Sequence, residues 1–159
     1  MALFGNKQES NMRSSIKMVE TIIADLGLNP TETQVPSPGD ERIAWGLMKG
    51  SAEIYVSLKQ DSGENYIRVS APVITLPENE RDQLRLFRHL LILNAGTVIG
   101  AAFGITRDRV IMVTERSTMD LDLSEVRDMI NRVGHYADFY DDALVNEFGG
   151  QRHTDVSRM

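Results

Sequence analysis

The sequence predicts an α+β fold in the order α-β-β-β-α-β-β-α, with helices packed on a largely antiparallel five-stranded sheet. Three observations predict it. Apolar residues recur at helical spacing in three stretches, and they alternate with polar or small residues in five shorter ones. The strand-like stretches come in groups joined by turn-length gaps, which favours hairpins over the single strands of a βαβ repeat. Helix stop signals (Gly27, Gly96 and Gly149-Gly150) close all three helical stretches.

The first helix is marked by Met12, Ile16, Val19, Ile22, Ile23 and Leu26, which share one face of a 3.6-residue repeat. Residues 1–10 lack that periodicity and are expected to form a mobile tail. Pro30, Pro36 and Pro38 lie in a loop over 29–40. Three strands follow. A two-residue turn at Lys49-Gly50 sets Leu47 against Ala52, Trp45 against Ile54 and Ile43 against Val56. A loop at 61–64 sets Leu58 against Ile67 and Val56 against Val69. Both turns place the apolar sets on one sheet face.

Pro77 and Asn79 announce a second helix over about 80–95, with Leu84, Phe87, Leu90, Leu91, Leu86 and Leu93 as its apolar residues. A strand over 98–105, a tight turn at Arg107-Asp108 and a strand over 110–115 pair Ile105 with Val110 and Phe103 with Met112. The last helix has the clearest start in the chain. Asp122 caps it, Glu125 stands three residues on, and Leu121 staples against Val126. Its buried stripe is Val126, Met129, Ile130, Val133, Ala137, Tyr140 and Leu144, and it runs to Phe148, a length of about 40 Å at 1.5 Å per residue. Residues 11–150 are thus expected to form one domain, and 151–159 a second mobile tail.

Bulk properties narrow the function. The chain has 159 residues, a formal net charge of -6 and no cysteine. The acidic balance disfavours a dedicated nucleic-acid module, which needs clustered cations to displace counterions from phosphates. Without cysteine there is no disulfide, thiolate nucleophile or cysteine-based zinc site. No apolar run is long enough to span a bilayer, so no membrane partner is expected. The sequence carries no nucleophile elbow, P-loop or His-Glu-x-x-His, so no catalytic residue, cofactor or metal is assigned.

Several segments resemble one known family. They are Leu90-Leu91-Ile92-Leu93-Asn94, Asp108-Arg109-Val110, Leu121-Asp122-Leu123-Ser124-Glu125, Ala137-Asp138-Phe139-Tyr140-Asp141-Asp142 and Glu147-Phe148-Gly149-Gly150. Together they make residues 84–150 look like a YbjN-domain protein, a family that shares its fold with type III secretion chaperones. The resemblance implies a small acidic cytoplasmic protein, commonly a homodimer, without enzymatic activity or cofactor. Secretion chaperones hold an unfolded client segment on an exposed apolar surface, and YbjN-type proteins are linked to stress and regulation.

Candidate binding residues follow from strand and helix phase. Opposite the core set stand Ala44, Gly46, Met48, Tyr55, Tyr66 and Arg68. Of these, Met48, Tyr55, Tyr66 and Arg68 make the expected protein-binding or dimer surface, for a second copy or an unidentified protein client. Arg81, Arg85 and Arg88 share one face of the second helix and form a stripe suited to an acidic partner, with nucleic acid as the alternative ligand. His135, Asp138 and Asp142 align on the last helix, but no second histidine completes a metal site. Gly96, Gly100 and Gly104 lack the dinucleotide-binding pattern, and Gly100 and Gly104 are expected to share a small strand face with Val98 and Ala102.

Overall fold

The structure, a computed structural model, describes residues 2–37 and 39–157. Its elements in chain order are α1 (Ala2–Asp25), β1 (Gln34–Val35), β2 (Glu41–Lys49), β3 (Ala52–Asp61), β4 (Glu64–Thr75), α2 (Glu80–Gly96), β5 (Ala102–Thr106), β6 (Arg109–Ser117), α3 (Leu123–Phe148) and α4 (His153–Val156). The α+β class holds, but the sheet has six strands in the order β1-β2-β3-β4-β6-β5. The additional strand, β1, lies in the stretch expected to be a loop. It pairs antiparallel with β2, Gln34 opposite Trp45 and Val35 opposite Ala44. Two residues are too few for alternation to be seen in sequence. Pro38, in the same stretch, lies outside the described residues.

The chain divides into two compact units, each assembled from separated segments. The first comprises Met1–Leu47, Tyr55–Val69 and Glu115–Ile130; the second comprises Met48–Ile54, Ser70–Thr114 and Asn131–Met159. In the first unit α1 buries Met12, Val19, Ile22 and Ile23, β2–β4 bury Trp45, Val56, Leu58 and Ile67, and α3 buries Val126 and Ile130. Each such side chain contributes roughly 1.5–3 kcal/mol on leaving water. Leu26, assigned to the same stripe, is 57% exposed because the helix stops at Asp25 and Gly27 takes a left-handed φ of 77°.

The α1 helix begins at Ala2, inside the segment expected to be a tail. Tertiary contacts explain the extension. Asn65 Nδ2 donates to the Gln8 carbonyl at 2.8 Å and to Asn11 Oδ1 at 2.9 Å, Asn11 Nδ2 donates to the Thr118 carbonyl at 3.3 Å, and Arg42 pairs with Glu9 at 2.9 Å. Asn65 and Thr118 are both only 3% exposed, so these bonds form away from water, while the buried Asn65 Oδ1 and Gln8 Nε2 have no partner among the described residues. A helix end held by polar partners carries no apolar stripe to read.

Strand boundaries shift slightly. The residues between β2 and β3 are Gly50 and Ser51, one step later than expected, and those between β3 and β4 are Ser62 and Gly63, both with positive φ. The β5–β6 register is as predicted, with Ile105 opposite Val110 and Phe103 opposite Met112. However, β5 starts at Ala102, so Val98 and Gly100 do not share a strand face with Gly104. Gly100 sits before the strand at φ 68°, where an added Cβ would lie 2.6 Å from Arg132 Nη1.

At the start of α3 the expected capping box is present. Asp122 Oδ1 accepts from the Glu125 amide at 2.9 Å, and Glu125 Oε2 accepts from the Asp122 amide at 3.0 Å. In the second unit α3 buries Val133, Ala137 and Leu144 on the predicted stripe, while Tyr140 is half-buried and meets Phe103 edge-on at 5.3 Å.

The segment from Gln151 is not a loose tail over its described residues. Gly150 adopts φ 86°, where any Cβ would stand 2.3 Å from the Thr75 carbonyl oxygen. This close passage returns the chain to β4. The Thr75 amide donates to the Gln151 carbonyl at 2.8 Å, and Arg152 forms an antiparallel bridge with Ile74. Arg158 and Met159 lie outside the described residues.

Candidate functional site

In the first unit, the expected surface residues Tyr55, Tyr66 and Arg68 are half-buried rather than fully exposed. Their environment is polar and internally satisfied. Arg68 Nη1 and Lys59 Nζ each lie 3.3 Å from the same Glu115 oxygen. Tyr66 donates its hydroxyl to Glu64 at 3.2 Å, and Lys59 sits 5.8 Å from the Tyr66 ring centre. The Glu64 charge, followed by that hydrogen bond, raises the Tyr66 pKa above the ordinary phenol value. Exposed pairs of this kind contribute about 0–1 kcal/mol each, so they orient side chains more than they stabilise the fold.

Tyr55 occupies a different corner of that unit. A Cβ on Gly46 would stand 3.2 Å from Val35 Cγ1 and 3.7 Å from Tyr55 Cε1, so β1 and Tyr55 close over the glycine. Ala44, expected on the open face, is only 2% exposed. In the ladder, Val35 of the added strand stands opposite it. Met48 belongs to the second unit and is 61% exposed. The sequence reading missed Lys59 and Glu115. The phase of β3 puts Lys59 with Tyr55, but Glu115 reaches Arg68 only because β6 lies beside β4, a neighbour that hairpin counting does not reveal.

In the second unit, α2 is capped by Asn79, whose side chain accepts from the Arg81 amide at 2.8 Å. The helix buries Leu86 and Leu90, one turn apart, but leaves Leu84 and Leu91 each 68% exposed and Ile92 58% exposed. The expected apolar set therefore splits between an inner and an outer face. Among the described residues, neither the Arg81 nor the Arg88 side chain has a carboxylate partner, whereas Arg85 pairs with Asp82 at 3.1 Å and lies 5.4 Å from the Phe148 ring centre. The outer face is thus two unpaired cations interleaved with large apolar side chains. Ile99 and Ile105, 75% and 44% exposed, belong to the same unit.

The aligned His135, Asp138 and Asp142 are engaged separately. His135 stacks on Phe139 with ring centres 6.0 Å apart, Asp138 accepts from the Ser51 hydroxyl, and Asp142 pairs with Arg152 at 3.0 Å. No group of three or more metal-binding side chains occurs among the described residues. Next to Asp142, burial pushes the Asp141 carboxyl above its usual range. Hydrogen bonding to Asp155 raises the already high Arg152 value. His153, assigned to a loose tail, instead accepts from Arg109 at Nδ1 and donates from Nε2 to Glu53 at 2.7 Å. No signal short of the tertiary structure joins these three residues. No helix among those described is long and apolar enough to cross a membrane.

Comparison with known proteins places these features in a family. Among curated proteins none matches the sequence. Solved structures of similar fold include a chain of the ExsC–ExsE complex, at 17% identity and a TM-score of 0.54, covering 83% of this chain and 94% of that one. A chain of the heterodimeric ExoU–SpcU complex from the type III secretion system of Pseudomonas aeruginosa matches at 15% identity and 0.53, with 82% and 97% covered. A chain of the HopA1–SchA chaperone–effector complex matches at 10% identity and 0.55, with 84% and 97% covered. At such identities the likeness is one of fold. The sequence model for "T3SS (YopN, CesT) and YbjN peptide-binding chaperone 1" matches residues 15–156. This protein therefore belongs to the type III secretion and YbjN family of peptide-binding chaperones.

Proposed function

We propose that the protein is a non-catalytic, cytoplasmic, chaperone-like module that works as a homodimer and holds a segment of a client protein. The observation that carries this reading is the family match over residues 15–156, whose description is a peptide-binding chaperone. The structural neighbours, each from a complex of two different proteins, support a protein client over a small molecule.

The two surfaces described above divide the work. Tyr55, Tyr66 and Arg68 offer aromatic area and a cation beside backbone-dense strands, which suits an extended peptide. Met48, in the second unit, is by itself a flexible, exposed apolar contact. The outer face of α2 suits a second copy, because Leu84, Leu91 and Ile92 each gain roughly 1.5–3 kcal/mol on burial and a two-fold contact uses the face twice. Arg81 and Arg88 lie among these apolar residues, so the stripe fits the rim of a protein contact or an acidic segment better than a phosphate backbone.

The test is affinity purification from the native organism with the wild type and the Tyr66→Glu variant in parallel. A near-stoichiometric protein that the wild type recovers and Tyr66→Glu loses, with unchanged circular dichroism, supports the client surface. Equal recovery by both removes the sheet face from the assignment. Co-purifying nucleic acid released by salt would shift the function to the arginine stripe.

A further inference from the structure

The β5 strand is at one end of the sheet order, beyond β6, and its outer edge is where another chain could pair by strand addition. In an antiparallel ladder, alternate residues turn their N–H and C=O groups toward the neighbouring strand and away from it. Phe103, at the second position of five-residue β5, turns both groups outward and gives both to one side chain. Its amide donates to Asn94 Oδ1 at 2.7 Å, and its carbonyl accepts from Asn94 Nδ2 at 3.0 Å. A carboxamide presents the same donor and acceptor pair as a peptide unit, so Asn94 stands where the backbone of an added strand would stand. It comes from the last turn of α2, which packs on β5. By the same alternation, Ile105 is the only other residue of β5 turned outward. The clip therefore removes one of two pairing positions and leaves no two successive ones.

We infer that Asn94 is an edge guard, which closes β5 to strand addition by extended peptides and by other copies of this chain. The inference extends beyond the peptide-binding reading and does not depend on it. Under both, extended chain is excluded at β5 and must be held elsewhere. The side chain uses a hydrogen-bonding group rather than the charge or proline that commonly blunts an edge. It also keeps the amide and carbonyl of the buried Phe103 satisfied.

The experiment compares the full-length wild type with Asn94→Ala by amide hydrogen exchange in NMR and by sedimentation velocity. Exchange at Phe103 is expected to quicken at least tenfold in Asn94→Ala. Species larger than the wild type's own assembly are expected to appear, with thioflavin T fluorescence, and to vanish when Ile105→Pro is added. Unchanged protection at Phe103 would overturn the clip. Faster exchange without new association would overturn the guarding role. If circular dichroism shows that Asn94→Ala does not fold, Asn94→Asp serves in its place, since its carboxylate keeps the acceptor for Phe103 N–H and faces the Phe103 carbonyl with no donor. The same two outcomes then decide.

Discussion

The outer face of α2 and the strand surface around Tyr66 look alike in sequence, since both set arginines beside large apolar or aromatic residues. In the structure they differ. Around Tyr66 nearly every polar group is engaged within the chain: Arg68 and Lys59 with Glu115, and Tyr66 with Glu64. On α2, Arg81 and Arg88 have no carboxylate partner among the described residues, and Leu84, Leu91 and Ile92 face solvent. In the proposed reading, the self-satisfied surface exchanges weak contacts with a transient ligand, and the apolar face with unpaired cations is covered permanently.

The largest effect expected from this contrast is at Leu91. Leu91→Asp puts a charge at the centre of the proposed dimer contact and should weaken self-association by at least a hundredfold in sedimentation equilibrium, with circular dichroism unchanged. An unaltered oligomeric state would show that α2 is not the contact. Next come Tyr55→Glu and Tyr66→Glu, expected to reduce client binding by roughly tenfold while leaving self-association intact. Loss of the dimer in either variant would merge the two surfaces into one.

Smaller still is Asp122→Ala at the start of α3, which should lower Tm by a few degrees at neutral pH. Bonds from Ser124, then from the Glu125 amide, hold the Asp122 carboxyl below its usual pKa. A lowered folded-state value contributes stability above the unfolded value, about 3.9, and that contribution is lost as pH falls through the folded value. The Tm gap between wild type and Asp122→Ala should therefore be complete near pH 6 and shrink below about pH 4. A gap that widens with acid would contradict the assignment. Smallest is Arg68→Ala, which should change stability by no more than about 1 kcal/mol in urea unfolding, because its partner Glu115 retains Lys59.

Much of the fold was legible before the structure because it rests on local rules. The Asp122–Glu125 box, the Arg107-Asp108 turn and the pairing of Phe103 with Met112 depend on residues close in sequence, and all three are present. What failed was non-local. A two-residue β1 has no period to detect. The helix runs through residues 2–10, where Asn65 and Arg42 hold Gln8 and Glu9, and Gln151–Ser157 folds back because Gly150 lets the chain pass Thr75. Gly134 is a further case. A Cβ there would lie 2.8 Å from Ile54 Cδ1, a close approach of α3 to β3 that the helix pattern alone does not disclose.

The candidate surfaces divide along the same line. Alternation by itself determined that Tyr55, Tyr66 and Arg68 leave the core, and helical phase by itself determined that Arg81, Arg85 and Arg88 share a face. Only the tertiary structure decided which of two apolar faces of α2 the chain would cover. It likewise decided that Glu115 would reach Arg68, and that Asn94 would occupy the edge of β5. The physical reason is that secondary-structure period assigns each side chain a direction. What waits in that direction is set by elements brought there from distant parts of the chain.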